Sequence, residues 1–254
     1  MAVPAKTTIE KGVAHVLLDF PPVNAFDSAG WNDLAAHIRA LGENADVNVV
    51  LLSAEGRGFC AGVDIKELAA DSTAITSVNK GCYETFAAIY DCEVPVVAAV
   101  HGFCLGGGIG MVGAADLIVA SDDATFGLPE IDRGALGAAT HLYRMFGMQK
   151  TRKMLLTGEP ITAAEAYRLG AVEEVTTRDG LLPAARKLAE SIASKSPKAV
   201  KLAKESLNGI EVMDVKKSYR FEQGFTLELY TSPDSQEARD AFVEKRDASF
   251  KDKR

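Results

Sequence analysis

The chain has 254 residues, 47% of them apolar and 25% charged, and its 28 Lys and Arg against 35 Asp and Glu leave a net charge of −7. That composition is ordinary for a globular protein and excludes a disordered, collagenous or coiled-coil chain; a chain this long buries roughly 70–75% of its unfolded surface. The acidic balance argues against nonspecific binding to nucleic acid or to an anionic membrane.

The opening MAVPAKTTIEKG lacks the apolar core of a signal peptide, and no apolar run reaches the roughly 18 residues of a membrane span. The cysteines at 60, 82, 92 and 104 form no CxxC pair. They fit reduced thiols of a cytoplasmic protein better than a disulfide frame or a zinc site, so no metal is expected.

In chain order, short apolar and β-branched runs at Val13–Phe20, Val49–Ser53, Val94–Val100 and Leu117–Ser121 are the strand candidates. Helical spacing fills the intervals. Ser28–Leu41 puts Trp31, Leu34, Ile38 and Leu41 on one face, and Thr73–Tyr90 does so with Val78, Cys82, Phe86 and Ile89. Alternation of strand and helix predicts an α/β fold. After about Gly137 helices take over, with Thr162, Asp179 and Ser196 as helix-start residues and Pro197 at a first helical position. No segment has a linker's composition, so one α/β core with a helical extension is the economical architecture.

Gly106, Gly107, Gly108, Gly110 and Gly113 form the densest glycine cluster, and the last three spell GxGxxG. A dinucleotide site is excluded by context. That fingerprint needs a full crossover helix before the next strand, and only Met111 to Asp116 precede Leu117, where roughly 10–12 residues are needed. Two readings stay open: glycines that let the chain pack tightly, and a glycine turn aiming backbone N–H groups at an anionic oxygen. A second small-residue segment, Gly58–Leu68, enters a helix near Lys66, a surface lysine or the contact of a bound anion. Glu130 follows Pro129 in an apolar setting, as either a first-turn helix acid or a base for proton transfer. His101 and His141 are further proton-transfer candidates, each with the alternative of a packed, hydrogen-bonded histidine.

Five segments taken together resemble the enoyl-CoA hydratase/isomerase (crotonase) superfamily: AGVDIKEL at 61–68, VPVVAAVHGFCLGGG at 94–108, ATFGLPEIDRGALG at 124–137, LLTGEPITAAEAYRLGAVEEV at 155–175 and AFVEKRDASF at 241–250, with PPVNAF at 21–26. The resemblance implies a spiral of ββα repeats over residues 1–195 and a helical trimerisation region over 196–254, in a homotrimer or dimer of trimers. It implies an acyl-CoA thioester as substrate, with CoA part of that substrate and no bound cofactor. Two backbone N–H groups, at positions matching Val63 and Gly107, would hold the thioester oxygen. Gly106 and Gly108 flank that turn, the Ala61 carbonyl would meet the adenine, and Lys66 the CoA phosphates. Stabilising the enolate oxygen acidifies the neighbouring C–H, so that Glu130 can act as acid and base.

One departure is informative. Hydratases of the family carry a first catalytic Glu in a GGGxE pattern where this chain has Gly110, and a second where it has Glu130. A single Glu is the pattern of the family's isomerases, and Ala138 lacks the further acid of its dienoyl-CoA isomerases. GGGIGMVG, LIVASDDATFGLPEIDRGALGAATHL and SYRFEQGFTLEL are similar to an actinobacterial branch acting on steroid-derived CoA thioesters, which includes a ring-opening hydrolase. Between Tyr143 and Glu173 the chain follows the general family. The expectation is an enolate enzyme with one catalytic Glu, performing isomerase-type proton transfer or retro-Claisen C–C hydrolysis. A hydratase in which His141, Asp132 or Glu84 replaces the missing acid, and a non-catalytic CoA-ester-binding scaffold, are the alternatives. The pocket walls are expected from residues 69–90 and the C-terminal helices.

Overall fold

The computed structural model describes residues 5–211 and 215–248; Ser249 and Phe250, which end the C-terminal motif, lie outside them. Its largest sheet has six strands: β1 (Ala5–Glu10), β2 (Val13–Leu18), β4 (Val49–Ala54), β6 (Val96–Val100), β8 (Leu117–Ser121) and β11 (Glu174–Thr176), in that spatial order. Only the β1–β2 pair is antiparallel. Between the long strands come short ones, β3 (Ala25–Phe26), β5 (Gly62–Val63), β7 (Phe103–Leu105) and β9 (Thr125–Gly127). β3 pairs with β5, and β7 with β9, which β10 (Ile161–Thr162) extends. A bridge between Cys60 and Cys104 ties the two small sheets together.

Each turn of the chain lays down a long strand, a short strand and a helix. The helices are α1 (Ser28–Glu43), α2 (Ile65–Ala70) with α3 (Ile75–Tyr90), α4 (Gly107–Ala114) and α5 (Ala139–Thr157). This is the spiral of ββα repeats expected from the resemblance. α6 (Ala163–Arg168), α7 (Arg178–Ala193), α8 (Pro197–Ile210), α9 (Val215–Tyr230) and α10 (Pro233–Glu244) complete the helical half. Among the described residues no helix is long and apolar enough to cross a membrane.

The central parallel strands β4, β6 and β8 are apolar without alternation, save Ser53 and Ser121, because both faces are covered. Val13, Val49, Leu51, Val97, Ala99 and Val119 face Leu181, Ala185 and Ala189 of α7, while Val16, Val50, Leu52, Ala98 and Ala120 join the main core with α1, α3 and α4. α8 is fastened to the sheet by Lys204, only 5% exposed, whose Nζ reaches Asp116 Oδ2 at 2.8 Å and the Val94 carbonyl at 3.2 Å.

Local chemistry sets the helix starts. Asp27 caps α1 by accepting from the Gly30 N–H at 2.7 Å, and Thr162 and Ser196 cap α6 and α8 as expected. Asp179 does not cap: α7 begins two residues earlier than that cap would set it, at Arg178, and Thr177 takes the role by accepting from Gly180 N–H at 3.2 Å. A first-turn Asp still suits the positive end of the helix dipole.

Candidate active site

Two backbone turns meet at the centre of the spiral. In the parallel β3–β5 pair the Asp64 N–H donates to the Phe26 carbonyl at 2.9 Å. In that register Phe26 bonds the residues flanking Val63, so the Val63 N–H points away from β3. Opposite it stands the start of α4, where Gly106 is the N-cap residue at φ +56° and Gly107 the first helical residue. First-turn N–H groups have no acceptor inside their own helix.

Glycine is what brings the turns together. A Cβ on Gly62, which sits at φ +95°, would fall 3.0 Å from the Gly107 nitrogen and 3.2 Å from the Leu105 oxygen. Val63 and Gly107 line one cavity.

Glu130 comes from a single 3-10 turn, Pro129–Arg133, which follows β9. Its Oε1 lies against Gly106, where an added Cβ would stand only 2.4 Å away. Glycine at 106 therefore provides the unusual dihedral and also the space for the carboxylate. Two adjoining cavities share Val63, Gly106, Glu130, Ala135 and Tyr230. One opens past Ala61, Ile65, Arg133 and Arg239. The other runs between α3 and α9, walled by Val78, Asn79, Cys82, Phe86 and Tyr219. Among the described residues Glu130 is the sole carboxylate lining either cavity.

Gly110 lies one turn into α4, and its would-be Cβ stands 2.1 Å from Cζ of Phe86. The Phe86 ring is 2% exposed and is held edge-on by Trp31 at 5.8 Å and His141 at 4.8 Å. The space that a side chain at 110 would use is thus filled by an aromatic ring.

The remaining candidates separate. Gly108 does not line either cavity; a Cβ there would meet the Cys60 carbonyl at 2.8 Å, so it serves the close approach of α4 to Cys60. Lys66 is exposed at the start of α2, its backbone N–H bonded to Asp64 Oδ1 at 2.9 Å, and its side chain has no ion-pair partner among the described residues. Glu84 is paired with Arg39 of α1 at 2.5 Å on the far side of α3. Asp132 is exposed, with its carboxylate against Gly158 at the end of α5. Neither acid reaches the cavity. His101 is bonded through Nε2 to the Gly56 carbonyl at 3.2 Å, remote from both cavities. Cys60 and Cys104 are fully buried packing residues, and burial pushes the Cys60 thiol up to about 12.

His141 is also removed from the chemistry. It is fully buried behind Phe86 and Tyr219, and burial, reinforced by the nearby Arg144 guanidinium, lowers its pKa to about 3. Neither ring nitrogen has a hydrogen-bond partner among the described residues. The imidazole stays neutral in the fold, whereas in the unfolded chain it protonates near pH 6.5. Its share of stability is therefore complete above about pH 6.5 and is lost as the pH falls toward 3, at about 1.4 kcal/mol per pH unit. Urea unfolding at pH 7 and pH 5 should show the wild type losing about 2 kcal/mol more than His141→Leu over that interval. Equal losses would refute the neutral, sealed histidine.

Asn79, Tyr219 and Tyr230 also line the cavity; Tyr219 falls in the SYRFEQGFTLEL segment, whereas no motif marks Asn79 or Tyr230. For Asn79 a signal existed: it is a polar residue on the apolar stripe of Val78, Cys82 and Phe86.

Among the described residues no three His, Cys, Asp or Glu side chains cluster as metal ligands. Residues 8–253 match the family model described as "Enoyl-CoA hydratase/isomerase". The chain belongs to the enoyl-CoA hydratase/isomerase family. Within that family it is 53% identical over 240 residues, covering 94% of this chain and 93% of the relative, to a (7aS)-7a-methyl-1,5-dioxo-2,3,5,6,7,7a-hexahydro-1H-indene-carboxyl-CoA hydrolase of Rhodococcus jostii RHA1. It is 52% identical over 241 residues, 94% and 98% of the two chains, to the hydrolase of the same name from Mycobacterium tuberculosis H37Rv. Among solved structures, an enoyl-CoA hydratase/isomerase from Xanthobacter autotrophicus Py2 superposes with a TM-score of 0.89 at 26% identity, covering 96% of this chain and 94% of that one.

Proposed function

We propose that the chain is a carbon–carbon hydrolase of cyclic oxo-acyl-CoA thioesters, acting in the cytoplasm with no resident cofactor. The observation that carries this reading is the filled space at Gly110: with Phe86 against that position, the cavity offers the one carboxylate Glu130 and no place for a hydratase's first Glu. The likeness to two hydrolases named for a bicyclic dione on a CoA ester supports the same choice over isomerisation.

The chemistry follows from the parts. Glu130 takes a proton from water as the water oxygen bonds to a ring ketone carbon. The resulting tetrahedral centre collapses to a carboxylic acid as its bond to the neighbouring ring carbon breaks. The electron pair released is delocalised onto the thioester oxygen, where the Val63 and Gly107 N–H groups receive the charge. Glu130 returns the proton to the carbanionic carbon, so the net change is addition of one water and opening of one ring.

The thioester for which the relatives are named, incubated with the protein in ¹⁸O-labelled water, is expected to gain one water. One label should enter a new carboxylate while the CoA ester stays intact, as mass spectrometry reads it. Release of free CoA with the rings closed, an unchanged mass, or faster hydration of crotonyl-CoA would overturn the assignment.

A homotrimer or dimer of trimers is proposed as the assembly. An apolar groove between α5 and α9 supports it, where Leu156 is 69% and Phe221 73% exposed.

A further inference from the structure

Asn79 is 8% exposed on the wall of the cavity that also holds Val63, Gly107 and Glu130. A carboxamide at that depth needs partners for both its ends. One end is accounted for by Gln223 of α9, itself 5% exposed. Gln223 donates Nε2 to the Asn79 backbone carbonyl at 3.0 Å and also to Asn79 Oδ1. A backbone carbonyl only accepts, which fixes the nitrogen of Gln223 toward Asn79. The opposite end agrees: Gln223 Oε1 accepts from Arg220 Nη1 at 3.4 Å, a guanidinium that only donates. The relay thereby commits Asn79 Oδ1 to α9 and leaves Nδ2, with two N–H donors, as the other end.

Among the described residues Nδ2 has no hydrogen-bond partner, and it is not one of the partnerless side-chain atoms sealed inside the protein. Asn79 lines the cavity, and Nδ2 is taken as the end it presents there. The neighbouring Thr226 hydroxyl is engaged, donating to the Leu136 carbonyl at 3.0 Å. A cavity walled by Leu68, Ile75, Val78, Cys82 and Phe86 thus presents a fixed donor on an otherwise apolar face. Such a donor rewards an acyl group carrying an acceptor oxygen and penalises one that leaves it unpaired.

We infer that Asn79 is the specificity-determining residue for the acyl group, its Nδ2 donating to the ring ketone oxygen of the substrate. This rests on the reading of the cavity as an acyl-CoA site, and it names the class of acyl group: cyclic, apolar and bearing an oxo group on the ring carbon next to the one that carries the thioester. Gln223 is its positioning residue. The donor faces the oxygen on which charge grows when water adds to that ketone, so recognition and hydrolysis draw on the same contact.

The test is a binding comparison that needs no turnover. Isothermal titration into Glu130→Gln protein uses two probes, an oxo-hydrindane-carboxyl-CoA and the ketone-free hydrindane-carboxyl-CoA. The oxo form is expected to bind about tenfold more tightly, the worth of one neutral hydrogen bond. Adding Asn79→Ala should bring the ratio of the two dissociation constants to about one. Asn79→Asp keeps the side-chain shape and the acceptor for Gln223 but replaces the donors with an acceptor, and it should bring the ratio to one or below. A preference that persists in both variants, or that is absent from the parent, overturns the role of Asn79 while leaving the acyl-CoA site standing. A parent that binds neither thioester overturns the acyl-CoA reading, and this inference with it.

Discussion

Replacing Glu130 by Gln is expected to lower turnover of the ring-opening reaction about 10³-fold, within the range that one positioned acid or base contributes. Gln has the shape of Glu and fits the same space against Gly106, where there is no Cβ to obstruct it. What it lacks is the capacity to take a proton from water and return it to carbon. The loss should therefore appear in kcat, with KM and the thermal midpoint little changed, because the Val63 and Gly107 donors and the apolar walls remain. Steady-state kinetics on the ¹⁸O-labelling substrate, beside a thermal melt, separates these quantities. Among the described residues no second carboxylate lines the cavity, so no other acid is placed to substitute. Retention of more than a tenth of the activity would sink the single-base mechanism.

The sequence discloses elements in proportion to how strongly burial patterns them. β4, β6 and β8 are legible because both faces are covered, so all their residues but Ser53 and Ser121 are apolar. β3, β5, β7 and β9 are two or three residues long, too short for any period to register, although they are the strands that place the site. The donor role proposed for Val63 and Gly107 belongs to backbone N–H groups, which leave no side-chain signature; the glycine cluster hints at the second, and the family resemblance alone points to Val63. Glu130 is visible as an acid in apolar surroundings, but its neighbour across the chain, Gly106, has a role that emerges only when the carboxylate is seen resting on it. His141 shows the opposite error. A histidine four residues from Met145 and next to Leu142 looks available for proton transfer, and tertiary packing against Phe86 and Tyr219 removes it from solvent. Glu84 and Asp132 fail as auxiliaries because helix direction turns them away from the cavity, which composition cannot report.

Gly110→Glu is expected to carry a large cost in stability. It restores the family's first glutamate by sequence, yet a Cβ at 110 already overlaps the Phe86 ring, with Cζ at 2.1 Å and the two Cε atoms at 2.3 and 2.5 Å. The ring cannot swing aside cheaply, because Trp31, His141 and Tyr219 surround it and all three are at most 5% exposed. Overpacking of this kind costs about 1–3 kcal/mol, and confining a carboxylate among aromatic rings adds to that. A loss of about 3 kcal/mol or more corresponds to a fall of roughly 10 °C in the melting midpoint of a chain this size. Removing the obstruction should reverse part of the penalty. In the Phe86→Ala background, itself destabilised by about 3–5 kcal/mol, adding Gly110→Glu should cost at least about 1 kcal/mol less than in the wild type, read as the coupling energy of a double-mutant cycle. Crotonyl-CoA hydration should stay absent from Gly110→Glu alone, since a side chain that must displace Phe86 does not reach the hydratase position. A single variant that melts with the wild type, or that hydrates crotonyl-CoA efficiently, would mean that the aromatic cluster yields. The absence of the first carboxylate would then be a matter of one residue and not of the packing around it.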